Sequence, residues 1–292
     1  MPDHPSRLDR MYAHLLQDHP YGWALYKKVT ADKIFPGACG YFDSDGDWQT
    51  LVNLMDPTSL SRQNLTALEK DEEGGEESST CEPEILTWGP KQSGSIRSSS
   101  VGGEIGLSVG VAPVEPSVNM SFESDNQESA VLITESPVSK RHIKHEVRAE
   151  QWMAANTRTM AGQYSEILKR HGIWIVTKTY CTQRCAIAVM TTRTSKVEIG
   201  LSADVQGVLT LTPHTRWGRC TGNSCTELHE DRDAGVVVFM SGMYFTPKFL
   251  RSTLASTRDQ AKQSKHILRE GWGDGDDMEL GVRYYPSEEE DE

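Results

Sequence analysis

The stretch that decides the fold spans residues 197 to 211 and reads Val197-Glu198-Ile199-Gly200-Leu201-Ser202-Ala203-Asp204-Val205-Gln206-Gly207-Val208-Leu209-Thr210-Leu211. Apolar or small residues occupy every odd position. Because side chains alternate along an extended strand, these residues lie on one face and the even-numbered residues lie on the other. Strands of soluble domains average about five or six residues, whereas a tilted membrane-crossing strand needs roughly nine to eleven. The stretch is therefore long enough to cross a bilayer. One long amphipathic strand in a soluble sheet is the alternative interpretation.

A second segment repeats the alternation and extends the pattern to two hairpins. Residues 101–111 alternate, a turn-rich stretch follows, and a shorter alternating run begins at Val118; residues 173–191 form another extended segment before residue 197. Facing strands of this kind suit a membrane β-barrel wall with one apolar and one polar surface. The predicted membrane-inserting face consists of Val101, Ile105, Leu107, Val109, Val111, Val118, Met120, Phe122, Val197, Ile199, Leu201, Val205, Leu209 and Leu211.

The net charge of −12 is unevenly distributed over the 292 residues. Residues 69–84 hold eight acidic residues and one lysine, and residues 274–292 hold nine acidic residues and one arginine. Without these two runs the rest of the chain carries a small positive charge. The runs are predicted to be disordered, either as simple solubilising segments or as a screen over a basic membrane-binding surface.

The sequence lacks the motifs that indicate a catalytic or metal-dependent function. It has no phosphate-binding loop and no nucleophile elbow, so we expect neither an enzyme nor a cofactor. The pairs Cys181/Cys185 and Cys220/Cys225 depart from the usual zinc spacing, and residues 43–47 lack the carboxylate that completes a calcium loop, so we expect no metal. No apolar run reaches the length of a transmembrane helix and no export signal is visible, which predicts a cytoplasmic location in the inactive state.

The remaining segments are predicted as follows. A helix begins near Leu8, strands cover residues 23–29 and 38–42, and an acidic disordered loop covers about residues 60–86. A helix covers residues 140–171 and stops at Gly172, a buried strand covers residues 235–245, and a last helix begins at Thr246-Pro247 and ends near Gly271. The predicted fold class is α+β, a twisted, mostly antiparallel sheet with flanking helices and two long amphipathic hairpin regions able to form a membrane β-barrel on oligomerisation.

The order of these parts over residues 1–250 resembles the pore-forming domain of gasdermins, most closely over residues 25–54, 87–136 and 174–243. The resemblance implies binding to acidic phospholipids, oligomerisation and insertion of the hairpins at the plasma membrane, with no nucleic-acid partner. Basic residues near an anionic leaflet each add about 1 kcal/mol of binding free energy. The residues assigned to lipid binding are Arg7, Arg10, Lys27, Lys28, Lys33, Phe35, Lys140, Arg141, Lys144 and Arg148.

Only about 40 residues follow Leu250, which is similar to short fungal gasdermin-like proteins that regulate cell death in heterokaryon incompatibility. The predicted organisation is a pore-forming domain over residues 1–250 and a C-terminal helix with an acidic tail over residues 251–292. The resemblance implies either a homo-oligomer or a hetero-oligomer with an antagonistic allelic variant. Activation by that variant is the first hypothesis and proteolytic removal of a short tail is the second. A soluble α+β binding module without membrane activity is the competing class.

Overall fold

A computed structural model describes residues 7–68, 80–94, 96–101, 117–124, 128–191, 196–203, 209–211, 224–248, 266–268 and 279–286. The fold is α+β and mostly antiparallel, which confirms the predicted class at this level. None of the helices within these ranges combines the length and the hydropathy needed to span a bilayer.

The described residues form three helices and seventeen strands. The helices are α1 (Leu8–Leu15), α2 (Pro57–Arg62) and α3 (Glu146–His171). The strands are β1 (Trp23–Ala24), β2 (Ala38–Phe42), β3 (Trp48–Asn53), β4 (Glu84–Leu86), β5 (Lys91–Gln92), β6 (Ile96–Val101), β7 (Ser117–Ser124), β8 (Ser129–Thr134), β9 (Val138–His142), β10 (Ile173–Thr182), β11 (Arg184–Met190), β12 (Lys196–Ala203), β13 (Leu209–Leu211), β14 (Ser224–Glu230), β15 (Val236–Lys248), β16 (His266–Leu268) and β17 (Glu279–Tyr285).

The chain divides into two compact units. The first comprises residues 1–31, 84–140 and 180–239, and the second comprises residues 32–83, 141–179 and 240–292. Each unit has its own hydrophobic core of buried residues. The predicted boundary at residue 250 therefore falls inside the second unit.

The first unit contains two four-stranded sheets. We call the sheet with strand order β14-β11-β8-β5 the central sheet and the sheet with strand order β13-β12-β7-β6 the amphipathic sheet. All residues of β8 and β11 are buried. In β8, Leu132 packs into a cluster with Tyr12 of α1, whereas its neighbour Ile133 packs into a cluster with Phe122 of the amphipathic sheet. Since successive side chains point to opposite faces, the central sheet is covered on both faces.

Helix α1 covers one face of the central sheet through residues at helical spacing. Met11, Tyr12 and Leu16 lie in the same cluster, which confirms the predicted amphipathic helix. Its N-terminus has no capping hydrogen bond from a side chain; Arg7 occupies the N-cap position and pairs with Asp9. The packing of its apolar face on the central sheet is therefore what stabilises this short helix.

The second unit packs α3 against a sheet whose described strands include β17, β15, β10, β2 and β3, in that order. Trp152, Met153 and Met160 of α3 share a cluster with Val52 of β3. The helix ends at Gly172, whose φ of +69° is the left-handed conformation that favours glycine, as predicted. Strand β15 confirms the predicted buried strand over residues 235–245 and continues to Lys248.

The stretch from residue 197 to 211 is not one long strand, which corrects the initial interpretation. Strands β12 and β13 are antiparallel partners, with Leu201 opposite Leu211 and Ala203 opposite Leu209. Odd-numbered residues of β12 lie opposite odd-numbered residues of β13. The apolar residues of both strands therefore lie on the same face of the pair. The alternation of the sequence is the same for one long strand and for a hairpin with this register.

The extended segment over residues 173–191 also divides, into β10 and β11. Neither strand pairs with β12 in the described residues; β12 lies between β13 and β7 instead. The predicted second hairpin therefore forms within residues 196–211. Strand β7 pairs with both β6 and β12 and joins the two predicted hairpin regions into a single sheet.

Two predicted helical regions contain strands. Lys140 and Arg141 belong to β9, and α3 begins only at Glu146. Thr246 and Pro247 belong to β15, and residues 266–268 form β16, so the predicted last helix is wrong over residues 246–248 and 266–268; its other residues lie outside the described ones. Pairing between distant strands supplies backbone hydrogen bonds that local propensity does not reveal.

The two acidic runs are partly integrated into the fold. Within the predicted loop of residues 60–86, Leu60 and Leu65 are buried, α2 ends at Arg62, and residues 84–86 form β4. The predicted tail contributes β17, which pairs with β15 over seven residues and buries Leu280 and Val282. Residues 69–79, 269–278 and 287–292 lie outside the described residues.

Candidate lipid-contacting surfaces

The predicted membrane-inserting residues of β7 and β12 come together on one face of the amphipathic sheet. The register places Val197 opposite Phe122, Ile199 opposite Met120, and Leu201 opposite Val118. Phe122 and Val197 are fully buried and Ile199 is 2% exposed. They pack in one cluster with Val131, Ile133, Ala186, Ala188 and Met190 of the central sheet. In this state the central sheet covers Phe122, Val197 and Ile199 of the predicted lipid-facing surface.

Strand β6 departs from the predicted arrangement. Ser98 lies opposite Phe122 and Ser100 opposite Met120, while Val101 lies opposite Asn119. Val101 is therefore in register with the polar set of β7, so its assignment to the same face as Met120 is wrong. Pairing register decides this, because a shift of one residue exchanges the two faces of a strand. The predicted inserting residues Ile105, Leu107, Val109, Val111 and Val205 lie outside the described residues.

The opposite face of the amphipathic sheet carries charged residues in register. Glu123 of β7 lies opposite Arg97 of β6 on one side and Lys196 of β12 on the other. The Lys196 Nζ atom is 3.7 Å from Glu123 Oε1, and 57% of the Glu123 side chain is exposed. Two residues along, Ser121 lies opposite both Ser99 and Glu198, and Ser121 itself is buried. The described part of the sheet is thus apolar on one face and polar on the other across β7 and β12, whereas β6 places Ser98 and Ser100 on the apolar face.

Three predicted lipid-binding cations of the first unit are already paired with carboxylates. Pairing reduces the charge that each presents to an anionic surface, and exposed ion pairs add little stability. The pairs are Arg7 Nη2 with Asp9 Oδ2 at 2.6 Å, Lys28 Nζ with Asp231 Oδ2 at 3.3 Å, and Lys140 Nζ with Glu84 Oε2 at 2.9 Å.

Asp231 and Glu230, two carboxylates that interact with Lys28 in the first unit, are held in the charged form. The Ala234 backbone N–H and then Lys28 lower the pKa of Asp231 below its ordinary value. The hydrogen bond from Arg232 lowers the pKa of Glu230 in the same way. Both groups are therefore ionised at neutral pH and neutralise neighbouring cations.

The other predicted lipid-binding residues divide between the two units. Arg10 is exposed and Lys27 half-buried in the first unit; in the second, Lys33, Arg141 and Lys144 are exposed, while Phe35 and Arg148 are half-buried. The predicted lipid-binding residues between positions 140 and 148 are divided among β9, a short loop and α3. Exposed cations on loops and helix ends are the ones best able to reach a membrane surface.

Sequence reasoning missed two exposed apolar residues beside these cations. Val147, in the first turn of α3, is 65% exposed and lies between Lys144 and Arg148 in the chain. Ile85 of β4 is 67% exposed and pairs with Ser139, next to Lys140. For Val147 the available signal was an isolated apolar residue within a basic segment; Ile85 follows the acidic Glu84 and offered no such signal. An exposed apolar residue can enter the interfacial region of a bilayer while its basic neighbours bind headgroups.

The described cysteines are thiols, and no group of three metal-ligating side chains occurs among the described residues. Cys181 and Cys185 are buried in β10 and β11, and Cys225 is exposed in β14; Cys220 lies outside the described residues. Burial raises the pKa of the Cys185 thiol to about 12, so this side chain is protonated and unreactive at neutral pH.

Comparison with known proteins identifies no relative: no protein-family model matches the chain, and no curated protein matches it. A functional proposal therefore depends on the chain's own geometry. The two-faced amphipathic sheet and the exposed cations are the features that can support one.

Proposed function

We propose that this protein is a gasdermin-like pore-forming effector of cell death. It binds acidic phospholipids, oligomerises, and inserts the regions around β6–β7 and β12–β13 into the plasma membrane. The observation that carries the proposal is the amphipathic sheet, whose apolar residues align across β7 and β12 while charged residues align on the other face. A wall with one apolar and one polar surface is what a membrane-spanning ring of hairpins requires.

Insertion and oligomerisation are coupled in this proposal. A lone hairpin in lipid leaves the N–H and C=O groups of its edges unpaired, at a cost of several kcal/mol each. A closed ring of hairpins pairs every edge. Among the described residues the amphipathic sheet ends at β6 and β13, and neighbouring copies could add to these two strands.

Transfer of the apolar face from protein to lipid costs little free energy because one apolar environment replaces another. Phe122, Val197 and Ile199 are buried against the central sheet. Burial of such side chains away from water is worth roughly 1.5–3 kcal/mol each, and acyl chains provide an equivalent environment. The amphipathic sheet can therefore leave the central sheet for lipid without exposing its apolar face to water.

The position of β17 limits where removal of a C-terminal tail could activate the protein. Removal of the chain from residue 279 onward would delete a strand that buries Leu280 and Val282 in the second unit. Proteolysis can therefore act without unfolding that unit only beyond the end of β17. We propose instead that contact with an antagonistic allelic variant activates the protein, and that the inactive form is cytoplasmic.

A soluble binding module is the second candidate, and the burial of the apolar face is the observation that favours it. Dye release separates the two functions. The protein, alone and mixed with a divergent allelic variant, is added to phosphatidylserine–phosphatidylcholine vesicles and to pure phosphatidylcholine vesicles.

We expect release from the anionic vesicles, weaker at high salt because the attraction is screened beyond about 10 Å at 0.1 M. Release from both vesicle types to the same extent at low salt would contradict the electrostatic part of the proposal. No release with either lipid, with or without the variant, would contradict the pore and favour the binding module.

A further inference from the structure

The charged row on the polar face of the amphipathic sheet lies at one end of its strands. Arg97 is the second residue of β6, Glu123 the next-to-last of β7 and Lys196 the first of β12. We call these three residues the charge row. They lie at the strand ends remote from residues 102–116 and 204–208, which connect the strands at the other end. In an inserted hairpin the charge row is therefore at the mouth that the chain enters from.

We propose that the charge row controls the ion preference of the pore. This inference rests on the proposed function, because it needs the polar face to line a lumen. Each copy adds two cations and one anion to the row, so a ring of copies places a band of net positive charge at the mouth. A ring of like charges raises the local concentration of counter-ions and favours their passage.

The next row of residues along the strands reduces the effect of the net positive charge of the charge row. Glu198 is in register with Ser121, two residues along the strand, and adds one negative charge per copy. Two residues correspond to roughly 7 Å along a strand, which is within the screening length at physiological salt. The wild-type preference is therefore small, and the decisive quantity is the direction in which variants of the charge row move it.

The close pair within the row permits a charge-swap design. Glu123→Lys raises the charge of the row by two and Lys196→Glu lowers it by two. The double variant Glu123→Lys/Lys196→Glu restores both the ion pair and the wild-type net charge of the row. The Lys196 Nζ and Glu123 Oε1 atoms of this pair are 3.7 Å apart in the wild type. Lys169→Glu is the matched control, since Lys169 of α3 is also 3.7 Å from a glutamate, Glu166, and its exposure of 39% is close to the 37% of Lys196.

The reversal potential across planar phosphatidylserine–phosphatidylcholine bilayers in a KCl gradient measures the preference. Low salt is used because the screening length reaches about 30 Å at 0.01 M. We expect the chloride-to-potassium permeability ratio to rise about twofold or more in Glu123→Lys and to fall by a similar factor in Lys196→Glu. The double variant and Lys169→Glu should match the wild type.

The two levels of the proposal fail in different ways. If wild-type protein forms no conductance, alone or with the allelic variant, the pore itself is wrong. If channels open but both single variants keep the wild-type reversal potential, or the double variant departs from it, the charge row does not control ion preference. Circular dichroism of each variant verifies folding. If a single variant does not fold, the milder Glu123→Gln, which raises the row by one charge, replaces Glu123→Lys, and Lys196→Gln, which lowers it by one, replaces Lys196→Glu.

Discussion

At the scale of single residues, close packing and charge pairing limit what each position can do. Gly172 illustrates the packing limit, because a Cβ atom there would lie 2.5 Å from ring atoms of Tyr244. The Tyr244 hydroxyl donates a hydrogen bond of 2.7 Å to the His171 carbonyl, which holds the ring over the end of α3. Charge pairing similarly limits Lys28, because Asp231 lies 3.3 Å from its Nζ atom.

We predict that Gly172→Ala destabilises the protein by about 2–4 kcal/mol, because alanine is strained at a φ of +69° and its methyl group would displace the Tyr244 ring. Gly162→Ala, inside α3, is the control, because a Cβ atom there meets nothing within 4 Å. It should stabilise by about 0.5–1 kcal/mol through higher helix propensity. Urea unfolding measures both changes, and equal effects at the two positions would refute the role of the Tyr244 contact.

At the scale of elements, the central sheet separates two clusters that have different consequences for function. Ile133 of β8 lies in the cluster shared with the amphipathic sheet, whereas Ile187 of β11 lies in the cluster shared with α1. Both side chains are almost completely buried. Loss of one methylene from either should therefore cost a similar free energy of unfolding but affect only one of the two interfaces.

We predict that Ile133→Val accelerates dye release from anionic vesicles about 2- to 10-fold, since Ile→Val typically costs 0.5–1.5 kcal/mol and here weakens the packing that holds the amphipathic sheet. Ile187→Val should lose comparable stability but keep the wild-type release rate. Initial rates are compared with unfolding free energies for both variants. Equal acceleration would mean that general destabilisation, and not separation of the two sheets, limits the rate.

At the scale of the whole molecule, the chain is divided into two units, and each is assembled from distant segments. The second unit draws on residues 32–83, 141–179 and 240–292, so the C-terminal region is part of a core and not an appendage. Only residues 287–292, which contain five of the acidic residues, follow the described part of that region.

We predict that a chain ending at Pro286 keeps the native circular dichroism and dye-release behaviour, because screened charges at a terminus contribute little. A chain ending at Met278 should lose the fold of the second unit, since truncation of a single buried leucine already costs about 2–5 kcal/mol and β17 contributes Leu280, Val282 and its pairing with β15. Thermal unfolding distinguishes the two chains. Spontaneous dye release by the chain ending at Pro286 would favour activation by tail removal.

Local periodicity determined much of this protein from the sequence alone. The spacing of Met11 and Tyr12 identifies the buried face of α1, Gly172 identifies the end of α3, and the alternation after Val197 identifies a two-faced sheet. These features depend on neighbours within one turn or one strand, which the sequence displays directly. The coarse α+β class follows from the same signals.

Only the tertiary structure decided which strands pair and what covers them. An alternating pattern is compatible with many registers, so Val101 and β13 could be placed only by their partners, Asn119 and β12. The pairing of β17 with β15 and the neutralisation of Lys140 by Glu84 are likewise contacts between distant segments. Such contacts depend on long-range hydrogen bonding, burial and Coulomb attraction, which become defined only when the chain has folded.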